Sequence, residues 1–542
     1  YTHTHTTIQL SQFEKPFGDP EWTPYVCTKL PWEPLLPAFG LEEYGLPIPR
    51  RNAETWRHYD LLGMIKHDYS ASPEGVGTDF EIEEGKLDEY KQKLVEKGGW
   101  LNDDQVEARL VYVNGRFCPQ LSKTTDDIRT LVSADLEDEK VKNALSRLTD
   151  GFTDTLAAPV PSGSTESLTS FEKLSSPNHN VGDPTSQFAI NSQQGTACFA
   201  ALNTIRTGGV AYIRQSEGKG EEENPPKVLL VNAITTDMGA DSSLDEETGV
   251  ACHPRALVLA EENSHLSFIQ STVDLDEGVN RPSLYNGYTQ IFVDKAATVQ
   301  HTYLEESGGV VTGGTEINDS DVPEGETPPR EIEAERPALK DTHLEVIDAH
   351  VVGEKGKYIN TMVSVGGCGH VRTALSVSLL KPGAHATVNG FSLTGGAQRT
   401  DVKTNIHHMA QGCTSEQLQK NMVGGRGTGA FRGRIRVEQS AQQTDSDQLS
   451  RTILLSDRCK AWAAPTLEII ADDVKCAHGA TVSDLSEEEM FYLQSRGLST
   501  SDARNLLMYA FAGDVTSGLD KAIMGEIGGK TGLQKRIVER LE

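Results

Sequence analysis

The chain is poor in aromatic residues, 6% of 542, but carries 50 glycines. That balance argues against a helical bundle and for a β-rich, turn-rich chain. It is also short of positive charge: 50 Lys and Arg against 79 Asp and Glu give a formal net charge of −29. Such a chain is poorly matched to a nucleic-acid backbone or an anionic membrane as main partner. No run of 18 apolar residues is present, so no segment reads as a membrane-spanning helix. Clustered cysteine is missing too. Cys27, Cys118, Cys198, Cys252, Cys368, Cys413, Cys459 and Cys476 are scattered singly, which excludes a dense disulfide framework and fits a reducing compartment. There is no Walker-type phosphate loop, no G-x-S-x-G elbow and no H-E-x-x-H. The clusters Gly366-Gly367-Cys368-Gly369 and Gly424-Gly425-Arg426-Gly427 lack a strand–turn–helix context and read as tight turns.

The length suits two to four domains, or one long repetitive unit with flanking pieces. Residues 1–40, with Pro16, Pro20, Pro24, Pro31, Pro34 and Pro37, read as an extended arm. Residues 41–157 read as a helical domain whose clearest stretch is Glu89–Lys97. It contains LPIPRRNAETWRHYDL (Leu46–Leu61), an ordinary capped helix by pattern, and a helical stretch at Asp126–Leu148. In LVYVNGRF (Leu110–Phe117) an apolar run meets Asn114-Gly115, the dipeptide that best tolerates positive φ in a two-residue hairpin turn. Residues 158–187 are rich in Ser, Pro and Thr and read as a linker.

Residues 188–482 change character. Apolar residues recur at i, i+2 and i+4 in short runs broken by Gly, Asn or Pro, the period of a strand. An antiparallel sandwich and a β-solenoid both fit this pattern, and the repeat is too degenerate to fix a period. Two acidic, Pro-rich breaks at 215–227 and 314–341 cannot bury enough surface to order themselves, so they read as mobile loops bulging from turns. Residues 483–542 turn helical. Ser486 with Glu489 is a capping-box signal, Gly497 suits a C′ position, and Ala503, Leu506, Leu507, Ala510 and Phe511 fall at helical spacing.

The candidate site lies in PTLEIIADDVKCAHGATV (Pro465–Val482). Side chains alternate faces along a strand, so Cys476 and His478 point the same way and make half of a soft metal site. The bland alternative is a buried thiol beside a solvated imidazole. Alternation also means that at most one of His407 and His408 enters a given site. By the same rule the adjacent Asp472 and Asp473 cannot flank one glycosidic bond, which counts against a polysaccharide-cleaving solenoid.

With these residues in view, the chain resembles the SufB/SufD family of iron–sulfur cluster assembly proteins, and within it the SufD branch. DVKTNIHH, the AQQTDSDQLSRTILL run, PTLEIIADDVKCAHGATV and MFYLQSRGLSTSDARNLLMYAFAGDV follow the family pattern in order through Asp401–Val515. VKCAHGATV, LPIPRRNAETWRHYDL and LVYVNGRF carry the branch. The two acidic loops depart from the family's shorter form. The resemblance implies a right-handed parallel β-helix flanked by helical domains, and a non-catalytic scaffold pairing with a SufB-like subunit and docking a SufC-like ABC ATPase. It implies that His478, with Cys476 beside it, belongs to a transient iron–sulfur cluster site shared with the SufB-like partner. It also implies that the ATPase docks on the terminal helices through Phe491, Tyr492, Arg496, Leu506, Leu507 and Phe511. A purely structural subunit without cluster ligands is the alternative. Flavin binding is left open. The resemblance, the acidic insertions and a start at Tyr1 in place of Met suggest a plastid (chloroplast) stroma, with bacterial cytoplasm second; a processed transit segment is compatible with that start.

Overall fold

The computed structural model describes residues 79–132 (apart from 84, 98 and 99), 135, 137–146, 207–235, 249–275, 283–307 and 341–519, together with 7–9, 68–71, 203, 521–524, 533 and 537. The arm at 1–40 apart from Thr7–Gln9, the stretch at 46–61, the linker at 158–187 and nearly all of the second acidic break lie outside the described residues, as do Cys27 and Cys198.

The first strands are β1 (Thr7–Gln9), β2 (Asp68–Ala71), β3 (Ala108–Val113), β4 (Arg116–Phe117), β5 (Ile128–Thr130), β6 (Val210–Gln215), β7 (Lys227–Ile234), β8 (Gly249–Cys252) and β9 (Arg255–Ala260). Then come β10 (His265–Asp274), β11 (Ser283–Val293), β12 (Thr298–Glu306), β13 (Thr342–Val351), β14 (Lys357–Ser364), β15 (His370–Leu379) and β16 (His385–Thr394). The last are β17 (Arg399–His408), β18 (Thr414–Val423), β19 (Thr428–Val437), β20 (Thr444–Leu454), β21 (Lys460–Ala463), β22 (Thr466–Ile469) and β23 (Val474–Ser483). Helices α1 (Leu87–Glu96) and α2 (Glu139–Ser146) precede the long strands; α3 (Glu487–Ser495), α4 (Thr500–Thr516) and α5 (Lys521–Met524) follow them.

From β10 to β19 successive strands alternate between two sheets, and each pairs in parallel with the strand two places later. This is a parallel β-solenoid of about six turns, which settles the choice left open by the pattern. Register gives the period that the sequence hid. Thr342 pairs with His370, 28 residues on, and Ser415 with Ser446, 31 residues on. The coil that carries the second acidic break is longer, with Leu284 opposite Thr342. Inward residues of both sheets, among them Leu375, Val377, Ala386, Val388, Ile406 and Phe431, form one continuous core. The outer face of one sheet is covered by α4, whose Met508, Ala512 and Val515 cluster with Val363, Phe391 and Met422.

The NG hairpin forms as its turn chemistry requires, with φ of 50° at Asn114 and 78° at Gly115. It is also the end rung of the solenoid, because β3 pairs with β7 in parallel while pairing with β4 antiparallel. One expectation fails. Asp126–Leu148 is not one helix: Ile128 is buried in β5, which pairs antiparallel with β6, and the helix begins only at Glu139. Tertiary pairing overrides local propensity there. The first acidic break is a loop between β6 and β7, as expected, and it is tied to its neighbours. The Lys219 amide donates to Ser216, its carbonyl accepts from His265, and its ammonium pairs with Asp127, while Glu222 pairs with Lys357. Its charges are used as pairing groups across neighbouring coils.

The core is not wholly apolar. Glu345 of β13 is buried and accepts hydrogen bonds from the Tyr285 hydroxyl at 3.0 Å, from Thr289 at 2.9 Å and from Gln270 at 3.2 Å. Burial, partly offset by these donors, pushes its carboxyl up to about 7. Beside it, His343 lies 2.5 Å from the Tyr303 hydroxyl and stacks on Tyr285, and burial brings its imidazole down to about 3, so it is neutral. Gly287 makes room for the carboxylate, since a Cβ there would collide with Glu345 Oε2. Gly287→Ala is therefore expected to destabilise the chain by about 1–3 kcal/mol, the usual range for overpacking. A shift of the urea midpoint at constant slope would register it.

Candidate functional site

β23 is the last strand of its sheet. Among the described residues it has one partner, β20, which leaves its other edge open. Register decides which way its side chains point. His478 lies opposite Gln448, and that column continues through Gln417, Val388, Asn360 and His301 to Phe268. Those six are all buried, and Phe268 and Val388 belong to the inner core. His478 is therefore the terminal member of an interior column. It is exposed because no further rung among the described residues covers it, not because it points outward. Cys476 ends the adjacent inward position, opposite Ser446, and packs on the same core.

The polar side chains behind the pair are hydrogen-bonded in series. Gln448 donates to Gln417 at 2.5 Å, and Gln417 to Thr404 at 2.6 Å. Ser446 contacts Ser415 at 2.7 Å, and Ser415 contacts His408 Nε2 at 2.8 Å. His408 thus faces the interior, where burial brings it down to about 3, while His407 faces the other way and meets Glu438 at 2.8 Å. The Cys476 thiol is raised above its ordinary value, by burial first and then by the carboxylates of Asp445 and Asp447. A bound cation reverses that balance, because metal coordination favours the thiolate. Among the described residues no three His, Cys, Asp or Glu side chains converge to hold a metal ion. The pair is a half-site in this chain, and the terminal coil around it exposes Trp462, Ile469, Ile470 and Val482.

The terminal helices carry the second candidate surface. Ser486 caps α3 by accepting from the Glu489 amide, and Gly497, at φ 95°, ends it. Ser499 caps α4 in the same way through the Asp502 amide. No residue of α3 is buried. A groove of about 420 Å³ between α3 and α4 is lined by Tyr492, Leu493, Leu506, Leu507 and Ala510, with Glu488 and Glu489 on its wall. Phe491 is 73% exposed and Tyr492 57%; Arg496 stacks over the Tyr492 ring. The structure brings Tyr492, Leu506 and Leu507 together in this groove. It separates Phe511, which packs toward the solenoid. Sequence reasoning had one apolar stripe on α4, whereas the helix has two apolar faces. Residues that reasoning missed are the inward polar groups, Gln417, Gln448 and the Glu345 network. Polar residues at inward positions of a buried strand have no signature in a single sequence beyond a neighbouring glycine.

The arrangement defines a class: a parallel β-solenoid with an open terminal rung among the described residues and a helical C-terminal appendage. Residues 243–511 match the family model described as SUF system FeS cluster assembly, SufBD core domain. An iron–sulfur cluster assembly SufBD family protein of Synechocystis is 24% identical over 90% of this chain and 86% of that protein. The Escherichia coli iron–sulfur cluster assembly protein SufD is 36% identical over 26% of this chain and 34% of its own length. The Arabidopsis thaliana protein ABCI7, chloroplastic, is 28% identical over 61% of each chain. The alignments to the last two thus span less than two thirds of those relatives. This chain belongs to the SufB/SufD family and is SufD-like. Among the described residues no helix is long and apolar enough to cross a membrane.

Proposed function

We propose that the chain is a non-catalytic scaffold subunit of an iron–sulfur cluster assembly complex. It contributes His478, with Cys476 beside it, to a transient cluster whose remaining ligands come from a SufB-like subunit stacked on the open rung. The observation that carries this reading is His478 itself: an imidazole that ends a buried column yet is exposed for want of a next rung. A strand added to the β23 edge satisfies its unpaired backbone groups and closes the column over the imidazole. Neutral imidazole and thiolate are both iron ligands. The acidic terminal coil, with Asp445 and Asp447 near the thiol, favours a cation over an anion. Iron enters as cargo. The chloroplastic name of the Arabidopsis relative supports a plastid stroma, and the Escherichia coli relative supports the bacterial cytoplasm as second choice.

The α3/α4 groove docks the SufC-like ABC ATPase. Its apolar floor and exposed Phe491 and Tyr492 have the composition of an interface centre. The double substitution Leu506→Glu, Leu507→Glu is expected to weaken ATPase binding at least roughly 30-fold, the loss of one hot spot. The solenoid should stay folded, because neither residue is buried. Titration calorimetry with the ATPase subunit measures it, and undiminished affinity would remove the groove from the reading.

A second reading has its own support. The Cys476 thiol is held toward its protonated form and packs on the core, as expected of a side chain that only fills space. In that reading the chain stabilises its partner and recruits the ATPase without touching the cluster.

A further inference from the structure

Helix α4 lies across the outer faces of β14, β16 and β18, and its contact is apolar through Met508, Ala512 and Val515. Inside this contact sits a cation. The Lys420 side chain of β18 is 3% exposed. Its ammonium donates to the Phe511 carbonyl at 3.0 Å, lies 4.1 Å from the centre of the Phe511 ring and pairs with Asp514. A second tie lies nearer the start of α4, where Arg504 donates to the Leu455 carbonyl at 2.8 Å, just past the end of β20.

Stability alone gives no reason for a buried ammonium here, because an apolar residue of similar volume serves as well or better. A buried ammonium held by fixed partners does fix register. The helix cannot roll or slide on the sheet without leaving the ammonium desolvated and unpaired. The position of this pin matters. Phe511 follows Ala510, which lines the groove with Leu506 and Leu507. On the other side, β18 pairs with β20 and β20 with β23. Groove, pin and half-site strand are thus joined through one helix and two steps of a hydrogen-bonded sheet.

We propose that Lys420 is a positioning residue that locks α4 in register on β18, so that force applied by a partner in the groove displaces the terminal rungs carrying His478. This rests on the reading that the groove docks an ATPase. Without the pin, α4 rolls over its apolar bed and the motion does not reach the sheet. The pin is electrostatic, so Lys420→Met fills the same space, preserves ATPase binding and hydrolysis, and uncouples them from the site.

The test uses the full complex of this chain with a SufB-like subunit and the ATPase, and measures clusters formed per ATP hydrolysed. Lys420→Met is expected to lower that ratio by about fivefold or more, the size of an ordinary coupling between sites, with ATPase affinity and turnover unchanged. The exchanged pair Lys420→Asp, Asp514→Lys should restore part of it, which a merely structural role would not do. Asp514, 61% exposed, supplies a second variant: if Lys420→Met fails to fold, Asp514→Asn should still lower the ratio. An unchanged ratio in whichever of the two variants folds overturns the proposal. A wild-type complex that takes up no ATPase, or makes no cluster, overturns the underlying functional reading instead.

Discussion

His478→Ala in the reconstituted complex is expected to lower the rate of cluster formation at least roughly tenfold, since even the loss of a partner to a metal ligand costs that much. The variant separates function from folding well. His478 is exposed at the end of its column, so removing the imidazole opens no cavity and should change stability by no more than about 0.5 kcal/mol. Anaerobic iron and sulfide content of the purified complex gives the readout, with the melting temperature as control. Cys476→Ala is the informative companion. Its thiol is half-buried on the core and raised in pKa by burial and by two carboxylates. If the thiolate is a ligand, the two variants lose activity together and the double variant is no worse than the poorer single one. If both assemble clusters at the wild-type rate, the chain is the purely structural subunit of the second reading.

Glu345→Gln should reshape the pH dependence of stability. In the folded chain the carboxyl titrates at about 7 because burial disfavours its charged form; its ordinary value is 4.5. Below the ordinary value the group is neutral in both folded and unfolded chains and no penalty applies. Between 4.5 and about 7, the unfolded chain ionises while the folded one keeps its proton. The folded state then binds more protons, and stability falls as pH rises. The loss over that window is on the order of 3 kcal/mol and is complete above it. Glutamine keeps an acceptor for Thr289 and Gln270 and cannot ionise, so the difference between the two stability curves should open across this window. The neighbouring His343 stays neutral throughout it. Chemical denaturation at a series of pH values measures the difference, and parallel curves for the two chains would mean that Glu345 takes up its proton alike in the folded and unfolded chains, so that burial does not shift it.

Much of the site was legible in the residues. Alternation placed Cys476 and His478 on one face of a strand, and the strand is there. The NG dipeptide marked a hairpin, and Ser486 and Gly497 marked the ends of a helix that forms between them. Alternation also put His407 and His408 on opposite faces, where Glu438 and Ser415 hold them. These features were legible because each is a property of a few consecutive residues. The Glu345 network was not. Every residue of β13 is buried on one side or the other, so its pattern could not tell inside from outside. Nor could Asp126–Leu148 be read alone, since the strand in it exists only through β6.

By itself the sequence determined the strand-rich, acidic, turn-broken character of the chain and the local geometry of its motifs. It also determined that one thiol and one imidazole share a strand face near the end of the repeat. Tertiary structure alone decided that this face looks inward, that it ends a buried column with no rung beyond it among the described residues, and that a buried lysine fastens α4 two strands away. The reason is the range of the interactions. Turns, caps and alternation are set within a few residues along the chain, whereas each rung of a solenoid is defined by strands 28 or more residues distant, and a single sequence does not say which of them will be neighbours.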